Sequence, residues 1–310
     1  MTDFSVIVCT YKRYDLVLNC LTYLERLNHL LSGSFEVVVV ENTPENSRQD
    51  MSWVTKFSNA RVVIENETGL SAARNMGVRS SNGEIIIFLD DDAEVHENWL
   101  DNLATAFKKN SAAQMMGGKV LPKYSLMAKP EWVSKKCEEL LSCIDWGTTT
   151  RVLKNTEWVA GANLAYRRKV FDSHGLFSTN LGRKGEASLL SNEESEFNLR
   201  IPKLARFYCG QAVVDHVIAP ERLDRQWFRR RVFWQAISDV ISQAVTTGDR
   251  DSLFSSYIKG VLKVPAEYRT AKSLFYECDN SDEFDHQLNQ IYRQAIALSI
   301  GGSSWEKLVL

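Results

Sequence analysis

Residues 84–89, Glu-Ile-Ile-Ile-Phe-Leu, run directly into three consecutive aspartates, Asp90, Asp91 and Asp92. The run is short, β-branched and aromatic, which is the composition of a strand buried on both faces. Its interior cannot hold three carboxylates, because unpaired buried charge is prohibitively costly. The acids therefore project from the strand's carboxyl end, where open α/β sheets place their ligands. Packed side by side they repel one another, and a hard divalent cation relieves that repulsion. A solvated acidic turn is the competing reading, so the companions of the triplet decide.

Those companions lie in an alternation of strand and helix patterns. Residues 4–9 read as a buried strand, and residues 13–31 carry a helical stripe of Leu16, Val17, Cys20, Leu21, Leu24 and Leu27. Strands follow at residues 35–40, 61–64 and 85–89, with a short helix at 69–80 between the last two. Trp99, Leu100, Leu103 and Phe107 mark a further amphipathic helix. The order predicts an α/β, Rossmann-like, mostly parallel sheet flanked by helices. Residues 115–207 mix strands, loops and short helices, and Gly182 and Gly185 suggest a mobile loop. Beyond Asp224 the pattern is helical to residue 300, which sets a boundary near Pro220. The predicted division is a catalytic domain over 1–220, split into a donor half (1–120) and an acceptor half (121–220), then a helical C-terminal region over 221–310.

Composition narrows the partners. The chain has 310 residues and a formal net charge of -2, which argues against nucleic acid as the main partner. Six cysteines are scattered without a C-x-x-C pair and read as free thiols of a reducing compartment. The first residues lack the basic and apolar regions of a signal peptide. No stretch approaches the ~18 uninterrupted apolar residues of a membrane span. The expected location is cytoplasmic, with at most peripheral attachment to the inner face of a membrane.

The polar exits of the strands converge on one cleft. The first strand ends at Thr10, Tyr11, Lys12 and Arg13, the second at Glu41 and Asn42, the fourth at the aspartates. Residues 66–75 form a loop entering a helix, with small residues that permit close approach and a helix N-terminus that favours an anion. Arg74 can add a charge-assisted contact to phosphate. An acid after the second strand, here Glu41, suits the hydrogen-bond donors of a base or ribose. In this order the elements point to a nucleotide.

These residues resemble a known family. The opening strand and loop (residues 5–13), then Gly69, Leu70, Ser71, Ala72, Ala73, Arg74 and Asn75, then Phe88, Leu89 and the aspartates are similar to the signatures of family-2 glycosyltransferases, which have the GT-A fold. Residues 161–168, the span from Gly182 to Gly185, and Glu193, Glu194, Ser195, Glu196 and Phe197 match the acceptor side. The likeness covers roughly residues 4–235. It implies an inverting, non-processive transfer of a sugar from a nucleotide donor, UDP by default, to a hydroxyl of a glycan, lipid-linked or protein acceptor, in bacterial-type surface polysaccharide or glycoconjugate assembly. By that likeness Thr10, Tyr11, Arg13 and Glu41 cradle the nucleoside, Asp90 touches the ribose, and Asp91 and Arg74 line the donor site. Asp92 ligates a Mn2+ or Mg2+ bridging the diphosphate. The base lies at Glu193 and Glu194, where the family usually carries Glu-Asp; Glu194 occupies the place of the aspartate, with Glu193 as the alternative. His216 stands where some GT-A enzymes place a metal-binding histidine.

Three further features complete the reading. Residues 222–234 hold five arginines among Trp227, Phe228, Phe233 and Trp234, suited to snorkelling over a core, to a diphosphate lid or to anionic lipid. Trp132, Trp146 and Trp158 flank the expected acceptor cleft, where an aromatic face stacks on sugar, although core packing competes. A sugar nucleotidyltransferase would want a glycine-rich loop after the first strand, and a P-loop kinase needs G-x-x-x-x-G-K-[ST]; neither is present. A degenerate, regulatory sugar-nucleotide binder would lack the metal acid or the base.

Overall fold

The computed structural model describes residues 3–27, 34–124, 127–185, 188–247, 255 and 277–300. Its centre is a sheet in the order β3-β2-β1-β4-β8-β6-β9-β5, with β7 paired to β9. The strands are β1 (Phe4–Thr10), β2 (Phe35–Glu41), β3 (Ala60–Ile64), β4 (Ile85–Asp90), β5 (Ala93–Val95), β6 (Met115–Lys123), β7 (Thr150–Val152), β8 (Asn163–Arg167) and β9 (Arg206–Val217). The helices are α1 (Tyr14–Leu27), α2 (Leu70–Ser80), α3 (Trp99–Lys109), α4 (Lys135–Leu140), α5 (Lys169–His174), α6 (Glu193–Leu199), α7 (Arg225–Thr247) and α8 (Ser281–Ile300). Helix α1 ends at Leu27; residues 28–31 of the predicted helix lie outside the described residues, as does most of 248–276 of the predicted helical tail.

The register explains where the polar residues gather. Strands β3, β2, β1 and β4 are parallel, and β1 pairs Thr10 with Glu41 on one side and Cys9 with Asp90 on the other. The strand ends are thereby level, at a switch point where β1 has neighbours from both directions. Beyond β4 the sheet turns mixed. Strand β8 is antiparallel to β4, with Leu89 opposite Asn163, so the residues just before Asn163 arrive at the aspartates. Strand β5 is antiparallel to β9 and sets Ala93 opposite His216.

Both faces of the sheet are covered, as the apolar run of β4 requires. Ile87 and Leu89 point into one core with α1 and α3, while Ile86 and Phe88 point into another containing Tyr166, Phe171, Phe177 and Phe197. Helix α2 lies close on β1 because Gly77 has no side chain. A Cβ there would stand 2.4 Å from Ile7 Cγ2.

The chain divides into two compact units. One comprises Met1–Lys123, Ser142–Gly185 and Glu193–Val217; the other comprises Tyr124–Leu141, Glu186–Asn192 and Ile218–Leu310. The second is organised around α7 and α8. Within it Trp132 meets Phe228 and Phe284 edge-on, at centroid distances of 5.7 and 5.3 Å. Arg225 lies over Trp132 and Phe284, and Arg229 lies over Phe284. Trp132 is thus a packing residue of this aromatic group, and these arginines snorkel across it.

Candidate active site

Two arginines divide five carboxylates between them at the carboxyl edge of the sheet. Arg13, just after β1, binds Asp91 through Nε at 3.2 Å and through Nη2, and Asp92 through Nη1 at 2.7 Å. Arg74, on α2, places Nη1 2.6 Å from Glu193 Oε1 and 3.5 Å from Glu194 Oε1, and Nη2 3.6 Å from Asp90 Oδ1. Burial works against the Arg74 charge, but Glu194, Glu193 and Asp90 outweigh it and raise its pKa. Its guanidinium also sits over the Phe88 ring, 5.7 Å from the centroid.

The acids differ in burial. Asp91 is 1% exposed and Asp92 5%, whereas the Asp90 side chain is 32% exposed. Burial pushes the Asp91 carboxyl up to about 7; Arg13 opposes this and Asp92 adds to it. Asp92 Oδ1 lies 3.0 Å from His216 Nε2, a meeting prepared by the β5–β9 register and by the Val217 N–H donating to the Asp92 carbonyl. One ligand atom each from Asp90, Asp92 and His216 falls within 4.8 Å of the others, the group of this kind found among the described residues. Two carboxylate oxygens and an imidazole nitrogen, in a setting with more acids than arginines, suit a divalent cation such as Mn2+ or Mg2+.

Helix α6 carries the remaining acids and is anchored from below. Phe197 is fully buried, stacked on Phe171 with centroids 5.1 Å apart, and Asn198 Oδ1 accepts from the Tyr166 hydroxyl at 2.7 Å. Glu193 is 2% exposed, and burial first, then Glu194, push its carboxyl up to about 8 against the pull of Arg74. Glu194 is more open, with a side chain 17% exposed. Its Oε1 accepts from the Gly161 backbone N–H at 3.0 Å. Gly161 has to be glycine here: a Cβ would stand 2.1 Å from Arg74 Nη2 and 2.6 Å from Glu194 Oε1.

At the β2 exit Glu41 is 2% exposed. Its Oε1 accepts from the Thr43 N–H at 2.7 Å, while Oε2 is buried without a hydrogen-bond partner. Thr10 stands opposite it in register, and Tyr11 follows with Lys12 over its ring. Lys12 itself has φ +59°, so the chain leaves β1 through a left-handed residue.

Several expectations are refined by this geometry. At the start of α2 the Gly69 N–H donates to Asn42 Oδ1 and the Leu70 N–H to the Arg183 carbonyl, at 2.8 and 2.9 Å, so these two amides are engaged within the protein. The stretch around Gly182, read as mobile, is pinned to α2. Ser71 Oγ donates to the Leu181 carbonyl at 2.7 Å, and Asn75 exchanges two bonds with the Phe177 backbone. Gly182 takes φ +85° there, and a Cβ would lie 2.8 Å from Ser71 Oγ. Trp146 and Trp158 pack on the core, joined by an Nε1–H to carbonyl bond of 2.8 Å. Asn163, within the stretch 161–168, donates to the Lys119 and Ala212 carbonyls and accepts from Trp99 Nε1, knotting β6, β9 and α3 together. The Gly161 amide is a backbone group, so residue identity alone did not disclose it. All six cysteines are free, and among the described residues no helix is long and apolar enough to cross a membrane.

Comparison with known proteins agrees with this architecture. A family model described as Glycosyl transferase family 2 matches residues 5–175. A glucosyl-dolichyl phosphate glucuronosyltransferase of Haloferax volcanii is 26% identical over 272 residues, covering 84% of this chain and 83% of that one. The poly(ribitol-phosphate) beta-N-acetylglucosaminyltransferase TarP of Staphylococcus aureus is 24% identical over 139 residues, or 44% of this chain and 40% of its own. The crystal structure of S. aureus TarS 1–349 in complex with UDP-GlcNAc superposes with a TM-score of 0.53 at 16% identity, over 97% of this chain and 93% of that chain.

Proposed function

The chain belongs to glycosyl transferase family 2 and is a glycosyltransferase of GT-A fold, and from that premise we propose an inverting, non-processive, metal-dependent transfer from a UDP-sugar to an acceptor hydroxyl. One observation carries the reading. The Arg74 guanidinium, buried at the edge of the sheet, bridges the Glu194 carboxylate to Asp90, whose ligand atom groups with those of Asp92 and His216.

Asp90, Asp92 and His216 are the residues to hold the cation. A divalent ion there supplies Lewis-acid charge for the departing diphosphate. Glu41 holds the nucleoside, since a buried carboxylate oxygen without a partner suits an N–H of the base or an O–H of the ribose. Thr10, Tyr11 and Arg13 complete that pocket, and Asp91 braces Arg13 from beneath.

Glu194 is the base. It is the more open of the two glutamates, and the Gly161 N–H fixes one oxygen while leaving the other for an acceptor hydroxyl. Glu193 is enclosed and held by Arg74 Nη1 at 2.6 Å, which leaves it less access to an acceptor hydroxyl. Glu194 stands where the family usually has aspartate, and the additional methylene is accommodated by the contact with Gly161. The catalytic residues all fall within 1–220, and the described residues beyond Asp224 are largely helical.

The named activities of the relatives support a polymeric or lipid-linked acceptor, and the UDP-GlcNAc complex of TarS supports UDP as the carrier. A lipid-linked acceptor would place the enzyme at the inner face of a membrane. Thermal-shift screening of UDP-, GDP- and dTDP-sugars with and without Mn2+ tests the reading. A UDP-sugar should raise the melting temperature in the presence of Mn2+, since a ligand that binds only the native state stabilises it. Stabilisation by none of the sugars would overturn it.

A further inference from the structure

Residues 181–185 run along the start of α2 and are tied to it. The Leu181 carbonyl accepts from Ser71 Oγ at 2.7 Å, and the Arg183 carbonyl accepts from the Leu70 N–H at 2.9 Å. Glycines make the path possible: Gly182 and Gly185 take φ +85° and +61°, in the left-handed region. A Cβ on Gly182 would stand 3.3 Å from Glu193 Cδ, whereas one on Gly185 would stand 3.6 Å from the Tyr11 hydroxyl. The loop thus begins beside the α6 acids and ends beside the β1 exit. Lys184 lies between, with its Cγ 3.7 Å from the place a Cβ would take on Gly69.

A nucleotide-sugar donor spans the same stretch. Its reacting sugar carbon belongs at Glu194, next to Glu193, its nucleoside belongs at Tyr11, and its diphosphate joins the two. The cation ligands Asp90, Asp92 and His216 face that middle stretch from β4 and β9, and Lys184 faces it from the head of α2. Charge favours the same place. Arg13 and Arg74 are committed to carboxylates, and the Gly69 and Leu70 amides are engaged within the protein. Lys184 is exposed and forms no ion pair with another described residue. Lysine is a point charge on a flexible stem, and phosphate oxygens are among its strongest partners.

We propose that Lys184 is a donor-binding residue whose ammonium meets the diphosphate from the α2 side, opposite the cation ligands. The inference rests on the reading of the cleft as a UDP-sugar site. It adds a diphosphate contact from the half of the sequence expected to serve the acceptor. The glycines on either side of the Arg183 and Lys184 pair, and the bonds to Leu70 and Ser71, hold the loop where that contact is made.

Binding of UDP and of uridine tests it without acceptor or turnover. Lys184→Met keeps an unbranched stem and removes the charge, and Lys184→Arg keeps a charge. Titration calorimetry gives the UDP Kd and saturation-transfer NMR the uridine Kd, both in Mg2+. We expect Lys184→Met to weaken UDP by about tenfold and to leave uridine at the wild-type value, and Lys184→Arg to recover most of the loss. Added salt should also weaken UDP binding less steeply in Lys184→Met than in wild type. An unchanged UDP Kd in Lys184→Met overturns the proposal, because the charge then meets no phosphate. An equal loss for uridine overturns it as well, and assigns Lys184 to the nucleoside. A wild-type enzyme that binds neither ligand refutes the UDP reading itself, and the proposal falls with it; the other two results count against Lys184 alone.

Discussion

The Arg74 guanidinium donates to the Glu193 carboxyl in a contact buried on both sides, with Nη1 2.6 Å from Oε1 and each side chain 3% exposed. Polar groups so enclosed forgo hydration, and truncating one partner strands the other. The same guanidinium reaches Asp90 and Glu194, so it ties the acid at the end of β4 to the acids of α6.

The pair makes stability pH-dependent in a definite direction. Burial and Glu194 raise the Glu193 carboxyl from its usual 4.5 to about 8. The folded protein then holds a proton that the unfolded chain has released, so stability from this site falls as pH rises across that window. Glu193→Gln cannot ionise. Its melting temperature should therefore climb relative to wild type between pH 4.5 and about 8, and run parallel to it below that range. A constant difference across the range would contradict the shift.

Gly161→Ala should separate chemistry from donor binding. The new Cβ would lie 2.1 Å from Arg74 Nη2 and 2.6 Å from Glu194 Oε1, and Arg74 is too enclosed to swing away. We expect kcat to fall by about a hundredfold, well beyond any change in the UDP-sugar Kd measured by calorimetry. A matching loss of donor affinity would show that Gly161 acts on the donor instead.

Metal removal should silence the enzyme reversibly. Excess EDTA is expected to stop transfer, and added Mn2+ to restore it. Asp92→Ala should lose about a thousandfold, and His216→Ala should weaken Mn2+ binding measured by electron paramagnetic resonance. Transfer that continues undiminished in EDTA would remove the metal from the account.

Gly77→Ala probes the scaffold alone. Its Cβ would meet Ile7 Cγ2 at 2.4 Å, where α2 rests on β1. Overpacking of this kind costs about 1–3 kcal/mol, partly offset by the better helix propensity of alanine, about 1 kcal/mol. Denaturant melts should show a lower midpoint, with the UDP-sugar Kd of the folded enzyme unchanged.

Much of the fold was legible because strand ends announce themselves. An apolar run followed abruptly by Asp90, Asp91 and Asp92, or by Glu41 and Asn42, marks both the strand and its ligand-facing edge. What stayed hidden were relationships made by the backbone. The meeting of His216 with Asp92 depends on the antiparallel β5–β9 register, and the Gly161 N–H belongs to no side chain. The glycine-rich stretch at Gly182 suggested mobility because composition does not reveal that Ser71 and Asn75 tie it down. Trp132 had no pattern to distinguish a sugar platform from a partner of Phe228 and Phe284.

The most direct test of the account is the Glu194→Gln enzyme, assayed for transfer and for donor binding in one preparation. Glutamine keeps the shape and can still accept from the Gly161 N–H, but it cannot take a proton from an acceptor hydroxyl. The account expects turnover to fall by about 10²–10⁴-fold while the UDP-sugar Kd in Mn2+ stays at the wild-type value. Wild-type turnover in Glu194→Gln would contradict it.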